Sequence, residues 1–430
     1  MRYKYIFISV VIILNLTMCE KICESRKRND TEKVVADAGP DKTTIVGSYA
    51  TLDASYSKGD TVWYEWKGAN SNPEETNISI YSGSIAEIDS SCLYPELGFD
   101  KKGTYKFYLD LKKEFNSSKV IDSDTVIVEI KANPNSKFED PNLELEIRYS
   151  LGNKKDVLTQ NELLSLDSLL SSVLGDEIVS LKGIEHCENL VYLNMALEKI
   201  SNISPISELE KLEELNLSQN HRIKDITPLK NLTNLKHLVL DENLISDISP
   251  LANLVNLEYL ELSYNPINSI NALGNLSKLK TLYLAKSRQN AEGVISDLSP
   301  ISKCKKLEQL WITGFVNVKD ISCLKTLTNI ENLNITWCKV ESIEALSYME
   351  ELERLRLDQN QISDITPLKN LSELNYVRLW DNQIKDISSL VENKNIDKGD
   401  VVGLDGNPLS EKSIEVYIPK LKKRGVYVTY

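Results

Sequence analysis

The sequence is poor in histidine, with only His186, His221 and His237 among 430 residues. Histidine is a common general acid or base near neutral pH and the commonest metal ligand in proteins. The small number of histidines therefore limits acid–base and metal chemistry that depends on imidazole. We expect no metal and no cofactor. Catalysis by carboxylates is not excluded on this ground.

The seven cysteines form no Cys-x-x-Cys pair and have no regular spacing, so neither a zinc site nor a disulfide framework is predicted. An excess of basic residues is also lacking, since the formal net charge is −13. Binding to phosphate backbones needs clustered lysine and arginine. The composition therefore argues against a nucleic-acid partner and against general attraction to anionic lipid.

The apolar stretch at residues 5–16 is too short to span a bilayer, which takes ~20 residues. Arg2 and Lys4 precede it, as in a signal peptide. The following Leu16-Thr17-Met18-Cys19 resembles the bacterial lipobox, although Met18 stands where a small residue is usual. This resemblance implies a signal peptide at 1–18, lipid on Cys19 as a membrane anchor, and a tether at 19–33. Ordinary cleavage and a retained anchor are the alternatives.

One pattern recurs from Leu190 onward, with the template LxxLxLxxNxIxDIxPLxNLxN. Such a pattern every 20–29 residues is typical of leucine-rich repeats. We therefore predict a solenoid of nine repeats over 190–395, with a parallel β concave face and a short 3-10 or irregular convex side. The first apolar positions of the repeats are Leu190, Leu212, Leu235, Leu257, Leu279, Leu307, Ile330, Leu352 and Leu374.

The template has a physical reading. Leucines of LxxLxL alternate inward along a short strand, and the asparagine amide can bond backbone groups inside the following turn. No repeat buries its apolar side alone, so the stack is the folding unit and needs capped ends. We predict a helical N-terminal cap at 133–189, with Leu143, Ile147 and Leu151 at helical spacing, and a C-terminal cap at 396–430.

The repeats resemble those of internalin-type leucine-rich-repeat proteins of bacterial surfaces. The opening "DPNLE" and the ending "GNPLSEKSIEVYIPKLKKRGVYVTY" are similar to caps in that wider family. The resemblance covers about residues 138–430. It implies a non-catalytic scaffold for protein recognition, often used in adhesion, and identifies no ligand.

Residues 34–132 read as short strands separated by turns, which predicts a β-sandwich. The expected strands are 51–55, 62–66, 103–111 and 124–130. "ADAGPDKTTIVGSYATLDASYS", "YEWKG", "GTYKFYLDL" and "SDTVIVEI" resemble the polycystic-kidney-disease (PKD) repeat, an immunoglobulin-like module. The resemblance implies a spacer with Trp66 in its core. Calcium binding by Asp37, Asp41 and Asp53 is the less favoured alternative.

Numbered along LxxLxLxxN, positions three, five, seven and eight face outward on the concave side. Three of the five tryptophans lie at these positions. Trp, Tyr and Arg most often dominate binding energy, which favours ligand contact. Packing between neighbouring strands is the alternative explanation for aromatic residues there. The predicted ligand-binding residues are Tyr259, Tyr283, Trp311, Trp337, Arg354, Arg356, Tyr376, Arg378 and Trp380.

Arg356 and Arg378 occupy the same position in successive repeats, so they would repel one another at strand spacing. One hypothesis is that the arginines bind a carboxylate of the partner. Arg378→Ala would then weaken binding by at least ~2 kcal/mol and leave thermal stability unchanged or slightly raised. The alternative is that Asp358 and Asp381 relieve the repulsion within the fold.

The turn asparagine is absent from repeats five to seven, where Ser287, Phe315 and Cys338 replace it, and the longest insertion lies around 287–294. A local departure from a consistent pattern often marks function. Sequence drift explains it equally well.

The predicted function is a cell-surface protein, exported and anchored, that binds or adheres to a protein or glycan with its concave face. A structural scaffold within an envelope complex is the alternative. A carboxylate-based hydrolase using Glu214, Asp241 and Glu261 is a remote one, because an open arc excludes little water. The chain is not expected to be an enzyme.

Overall fold

A computed structural model describes residues 36–45, 48–54, 57, 63–68, 78–80, 96–99, 103–112, 119–131, 133, 136–152, 157–171, 177–286 and 295–430. The chain divides into two compact units between Gly183 and Ile184. The predicted signal peptide, Cys19, the tether and the insertion at 287–294 lie outside the described residues. In the part that is described, no helix is long and apolar enough to cross a membrane.

The first unit contains the predicted β-sandwich. One sheet has the strand order β1-β7-β6-β3 and the other β2-β5-β4. The strands are β1 (Lys42–Ile45), β2 (Ser48–Thr51), β3 (Trp63–Gly68), β4 (Ile78–Ile80), β5 (Glu96–Phe99), β6 (Gly103–Lys112) and β7 (Val120–Lys131).

Alternate residues of β6 and β7 build the core of this sandwich. Tyr105, Phe107 and Leu109 are buried on one face of β6, opposite Val126 and Val128 of β7. The predicted strand at 51–55 is wrong, because β2 ends at Thr51. Buried side chains continue beyond it without strand pairing, so alternation alone placed the strand too late.

Two of the three acidic residues considered for calcium, Asp37 and Asp41, form hydrogen bonds with the backbone of this unit. The Asp37 carboxylate accepts a hydrogen bond from the Gly39 backbone nitrogen (3.0 Å), and Asp41 accepts one from Ile127 (2.8 Å). No group of three or more metal-binding side chains occurs among the residues that the structure describes. Trp66 lies in β3, and its side chain is outside the described set.

Two helices follow in the first unit, α1 (Pro141–Ser150) and α2 (Gln160–Leu164), with a short strand β8 (Ser168–Leu170). Asp140 caps α1 by accepting a hydrogen bond from the Asn142 nitrogen (2.9 Å). Within α1, the buried Arg148 guanidinium donates to Glu144 at 2.6 Å. The predicted helix at Leu143 and Ile147 is confirmed, with both side chains fully buried.

The second unit is the predicted leucine-rich-repeat solenoid. Its strands pair in parallel in chain order. They are β9 (Tyr192–Asn194), β10 (Glu214–Asn216), β11 (His237–Val239), β12 (Tyr259–Glu261), β13 (Thr281–Ala285), β14 (Gln309–Thr313), β15 (Asn332–Thr336), β16 (Arg354–Arg356), β17 (Tyr376–Arg378), β18 (Val401–Gly403) and β19 (Tyr427–Thr429).

The consensus leucines and isoleucines form a continuous core beneath this sheet; in the repeat around β11, Leu235, Leu238 and Leu240 have no exposed surface. The Asp-Ile-x-Pro-Leu segment returns as a short 3-10 helix, such as Thr227–Asn231. The Asp225 carboxylate starts that helix by accepting a hydrogen bond from the Thr227 nitrogen (2.8 Å). The predicted convex side is thereby confirmed.

The turn asparagines link neighbouring repeats, as the template predicts. The Asn360 side-chain nitrogen donates to the backbone oxygens of Ile335 (2.7 Å) and Leu357 (3.0 Å), and its oxygen accepts from the Val340 nitrogen (3.0 Å). One side chain therefore satisfies backbone groups of two consecutive repeats.

Repeats six and seven have no turn asparagine, and their neighbouring strands are linked in another way. Phe315 and Cys338 are buried where the asparagine would stand. Strands β14 and β15 are five residues long and pair as far as Thr313 and Thr336. Longer strand pairing thus replaces the asparagine bonds, which is a structural reason for the departure at these two positions.

The C-terminal segment continues the core as predicted. It contains α3 (Ser388–Glu392), the strand β18, a π-helical turn (Ser413–Tyr417), α4 (Ile418–Arg424) and the final strand β19. The Arg424 guanidinium donates to backbone oxygens that follow α3, including that of Asn393 at 2.9 Å. Ile418 and Leu421 of α4 are buried.

Candidate binding face

The outward face of the solenoid sheet, which we call the concave face, carries every predicted ligand-binding residue. The strands β12 to β17 contain Tyr259, Tyr283, Trp311, Arg354, Arg356, Tyr376 and Arg378. Trp337 directly follows β15, and Trp380 lies two residues after the end of β17. The three tryptophans are 36 % to 41 % exposed, whereas the leucines between them are buried. The sheet register therefore brings these side chains to one accessible surface.

Four rings form a continuous aromatic row across β11 to β14. His237 stacks on Tyr259 with ring centroids 5.7 Å apart, and Tyr259 lies 5.7 Å from Tyr283. Trp311 meets Tyr283 edge-on at 5.0 Å. Such contacts stabilise the row by about 0.5–1.5 kcal/mol for each pair. His237 was not among the predicted site residues, because only the register places its ring against Tyr259.

Carboxylates adjoin the aromatic row. Burial, followed by the charges of Glu261 and Glu242, raises the pKa of Asp241 to about 6. Burial likewise raises the pKa of the Glu261 carboxyl, although Ser263 donates hydrogen bonds to it. Two of the three carboxylates considered for hydrolysis, Asp241 and Glu261, are therefore close enough to interact. Glu214 is exposed on β10 and does not contribute to either shift.

The arginine end of the face is organised around Asp358, whose side chain is only 4 % exposed. The Arg378 guanidinium forms an ion pair with it, and the Trp380 nitrogen donates to its other oxygen at 3.1 Å. The guanidinium also lies over the Trp380 ring, 4.2 Å from its centroid. Asp358 thus relieves the repulsion expected between the arginines. Because Arg378→Ala would leave this buried carboxylate without its partner, the ion pair favours a loss of stability over the unchanged stability expected from the sequence.

The other two arginines, Arg354 and Arg356, form no ion pair with a carboxylate among the described residues. Arg354 lies over the Tyr376 ring at 4.5 Å and is exposed. Arg356 pairs in register with Asn334 on one side and with Arg378 on the other. The Arg356 Nε and the Asn334 Oδ1 are buried and have no hydrogen-bond partner among the described residues.

Position eight of the repeats has a left-handed backbone. Tyr264, Trp337 and Gln359 have φ of 60°, 59° and 57°, and Gly314 holds the same position with φ of 85°. This conformation favours Gly, Asn and Asp and is unfavourable for bulky side chains. Trp337 therefore occupies a position that backbone sterics disfavour, with 41 % of its side chain exposed.

Two family profiles match parts of the second unit: "Leucine Rich repeats (2 copies)" at residues 210–253 and 350–392, and "Leucine rich repeat" at 233–288. No curated protein sequence matches the chain.

Solved structures give the remaining comparison. An internalin (inlF) from Listeria monocytogenes is 30 % identical, over 69 % of this chain and 92 % of its own, with a TM-score of 0.56. Internalin C2 from the same species is 25 % identical over 64 % and 96 %, with a TM-score of 0.36. A TDR receptor is 21 % identical over 58 % and 45 %, with a TM-score of 0.51, and shows the shared fold alone. The repeat pattern, the parallel sheet and the likeness to inlF together show that this chain belongs to the internalin-like leucine-rich-repeat proteins.

Proposed function

We propose that the chain is an exported bacterial surface protein that binds another protein with its concave face and does so without catalysis. Solenoids use such extended surfaces for recognition. The observation that carries the proposal is the row of partly exposed rings from His237 to Trp311, continued by Trp337 and Trp380. The consensus core consists of aliphatic side chains and needs none of these rings.

The N-terminal segments complete the proposal. The lipobox-like Leu16-Thr17-Met18-Cys19 supports attachment through lipid on Cys19, and the PKD-like sandwich would act as a spacer between membrane and repeats. Adhesion to a host or neighbouring cell is the role that we favour for such a surface. Replacing Cys19 by Ala should move the protein from the membrane fraction to the soluble fraction. An unchanged membrane fraction would contradict lipid anchoring.

Site-specific crosslinking tests the binding face. A photoreactive amino acid at Tyr283 should capture a partner protein on intact cells, and the same residue at Tyr348 should not. Tyr348 is a suitable control because it is 54 % exposed and lies in a 3-10 segment away from the sheet. Equal capture from both positions, or capture from Tyr348 alone, would contradict binding through the concave face.

A further inference from the structure

The charges on the concave face are sorted by sign along the stack. The outward positions of repeats two to four carry four carboxylates, those of Glu214, Asp241, Glu242 and Glu261, and within residues 212–265 no lysine or arginine occupies such a position. Repeats eight and nine present three arginines and two carboxylates, and one of these carboxylates, Asp358, forms an ion pair with Arg378 while the other is Asp381. The rows between them are largely neutral, with Tyr283, Trp311 and Asn334 along the centre.

The carboxylates of repeats two to four have no lysine or arginine partner among the described residues. Burial raises the pKa of Asp241 most, and the charges of Glu261 and Glu242 raise it further. Like charges at neighbouring strand positions destabilise a sheet. A bound cation would relieve this repulsion.

At the other end, Asp358 neutralises Arg378 but leaves Arg354 and Arg356 without a carboxylate partner within the described ranges. The Asn334 side chain, 5 % exposed, has an unpartnered Oδ1 beside Arg356, whose Nε is also unpartnered. Buried polar atoms are rarely left without a hydrogen bond. The donors that this end offers to an anion are therefore the guanidinium groups of the exposed Arg354 and the half-buried Arg356.

From this arrangement we infer that the concave face binds an extended polypeptide segment that places a basic side chain against Asp241 and Glu261 and an acidic side chain against Arg354 and Arg356. The inference rests on the proposed function and specifies the chemistry of the partner. Four to five strand spacings separate the two clusters, or roughly 20 Å. An extended chain covers that distance in about six residues.

A polypeptide fits better than the other classes of ligand. It carries both signs of charge along one chain, and its side chains can pack on the aromatic row between the clusters. Nucleic acids and most charged glycans carry charge of one sign, so they would match one end of the face and be repelled by the other.

Peptide selection tests the inference. A random twelve-residue library displayed on phage is selected on the full chain, and one enriched peptide is titrated against variants. Asp241→Asn with Glu261→Gln removes the acidic charges while keeping side-chain shape, and Arg354→Gln with Arg356→Gln removes the basic ones. Glu208→Gln with Glu210→Gln, exposed carboxylates outside the concave positions, is the control.

Enriched peptides should carry a basic and an acidic residue about six positions apart. Each concave double variant should weaken binding at least tenfold, and the control should leave it unchanged. Replacing the basic residue of the peptide should have no further effect on binding to the double variant that combines Asp241→Asn with Glu261→Gln, as expected for a coupled pair.

The outcomes separate this inference from the proposed function. Peptides without the charge pair that still lose affinity with Trp311→Ala would overturn the inference and leave concave-face binding intact. Peptides insensitive to every concave variant would count against both. Failure to enrich any peptide would overturn recognition of an extended segment.

Discussion

The two ends of the concave face use their aromatic side chains differently. Across β11 to β14 each ring contacts another ring, and the neighbouring carboxylates have no cationic partner among the described residues. At β16 and β17 each ring lies under a guanidinium, and Arg378 also holds the buried Asp358. Arg378 is therefore held in the fold by Asp358, whereas Arg354 is exposed and has no carboxylate partner among the described residues.

Removing Arg378 should give the largest effect on stability. Arg378→Ala leaves Asp358 buried without its ion pair, so we expect the free energy of unfolding to fall by about 3 kcal/mol. Arg354→Ala is the matched control and should cost under ~1 kcal/mol, because Arg354 is exposed. Urea denaturation measures both. Equal losses of unfolding free energy would contradict the conclusion that Arg378 stabilises the fold more than Arg354 does.

The pH dependence of stability should distinguish the carboxylate of Asp241, which has no lysine or arginine partner among the described residues, from that of Asp358, which is paired with Arg378. The pKa of Asp241 is about 6 in the fold and lower in the unfolded chain, so the folded state binds more protons between those values. The contribution of Asp241 to stability should therefore fall as pH rises from about 4 to about 6, and then level off. Asp241→Asn should remove this fall and stabilise the protein by about 1 kcal/mol at pH 7, discounted for partial exposure.

The control for this titration is Asp358→Asn, which removes a carboxylate that already has a cationic partner. It should destabilise the protein at pH 7, the opposite sign to Asp241→Asn. The test is to measure the melting temperatures of wild type and both variants at pH 4 and pH 7. Destabilisation by Asp241→Asn at pH 7 would show that its charge is compensated.

Position eight gives the smallest expected effect. Trp337→Asn replaces a ring by a side chain that tolerates the left-handed backbone, so stability should stay unchanged or rise by about 0.5 kcal/mol. Gln359→Asn, at the same position of the next repeat, is the control in which no ring is removed, although it also changes the hydrogen bond from Gln359 to Asp381. A loss above ~1 kcal/mol for Trp337→Asn only would mean that its ring contributes packing to the fold.

The repeats were predictable because periodic leucines report directly on which side chains point inward. The same period placed all nine candidate binding residues on one face. Pairing between repeats was harder to foresee: the ion pair of Asp358 with Arg378 joins positions seven and five of successive repeats. The row from His237 to Trp311 likewise changes from position three to position five, which the sequence alone does not reveal.

Turn geometry was also only partly predictable. The asparagine amides bond backbone groups as expected, for example at Asn360. Phe315 and Cys338 were noted as departures from the pattern, but the compensation by longer strands depends on register and could not be read from the residues themselves. In the sandwich, the strand expected at 51–55 was wrong because buried alternate residues continue beyond the pairing of β2.

Affinity for the partner crosslinked at Tyr283 is the decisive measurement for binding through the concave face. Isothermal titration should show that Trp311→Ala weakens binding by at least ~2 kcal/mol, the usual threshold for a residue that dominates an interface. Tyr348→Ala should bind as wild type does, and both variants should melt within a few degrees of it. Wild-type affinity for Trp311→Ala, with a loss for Tyr348→Ala, would place the binding surface on the opposite side of the repeats and contradict recognition by the aromatic row.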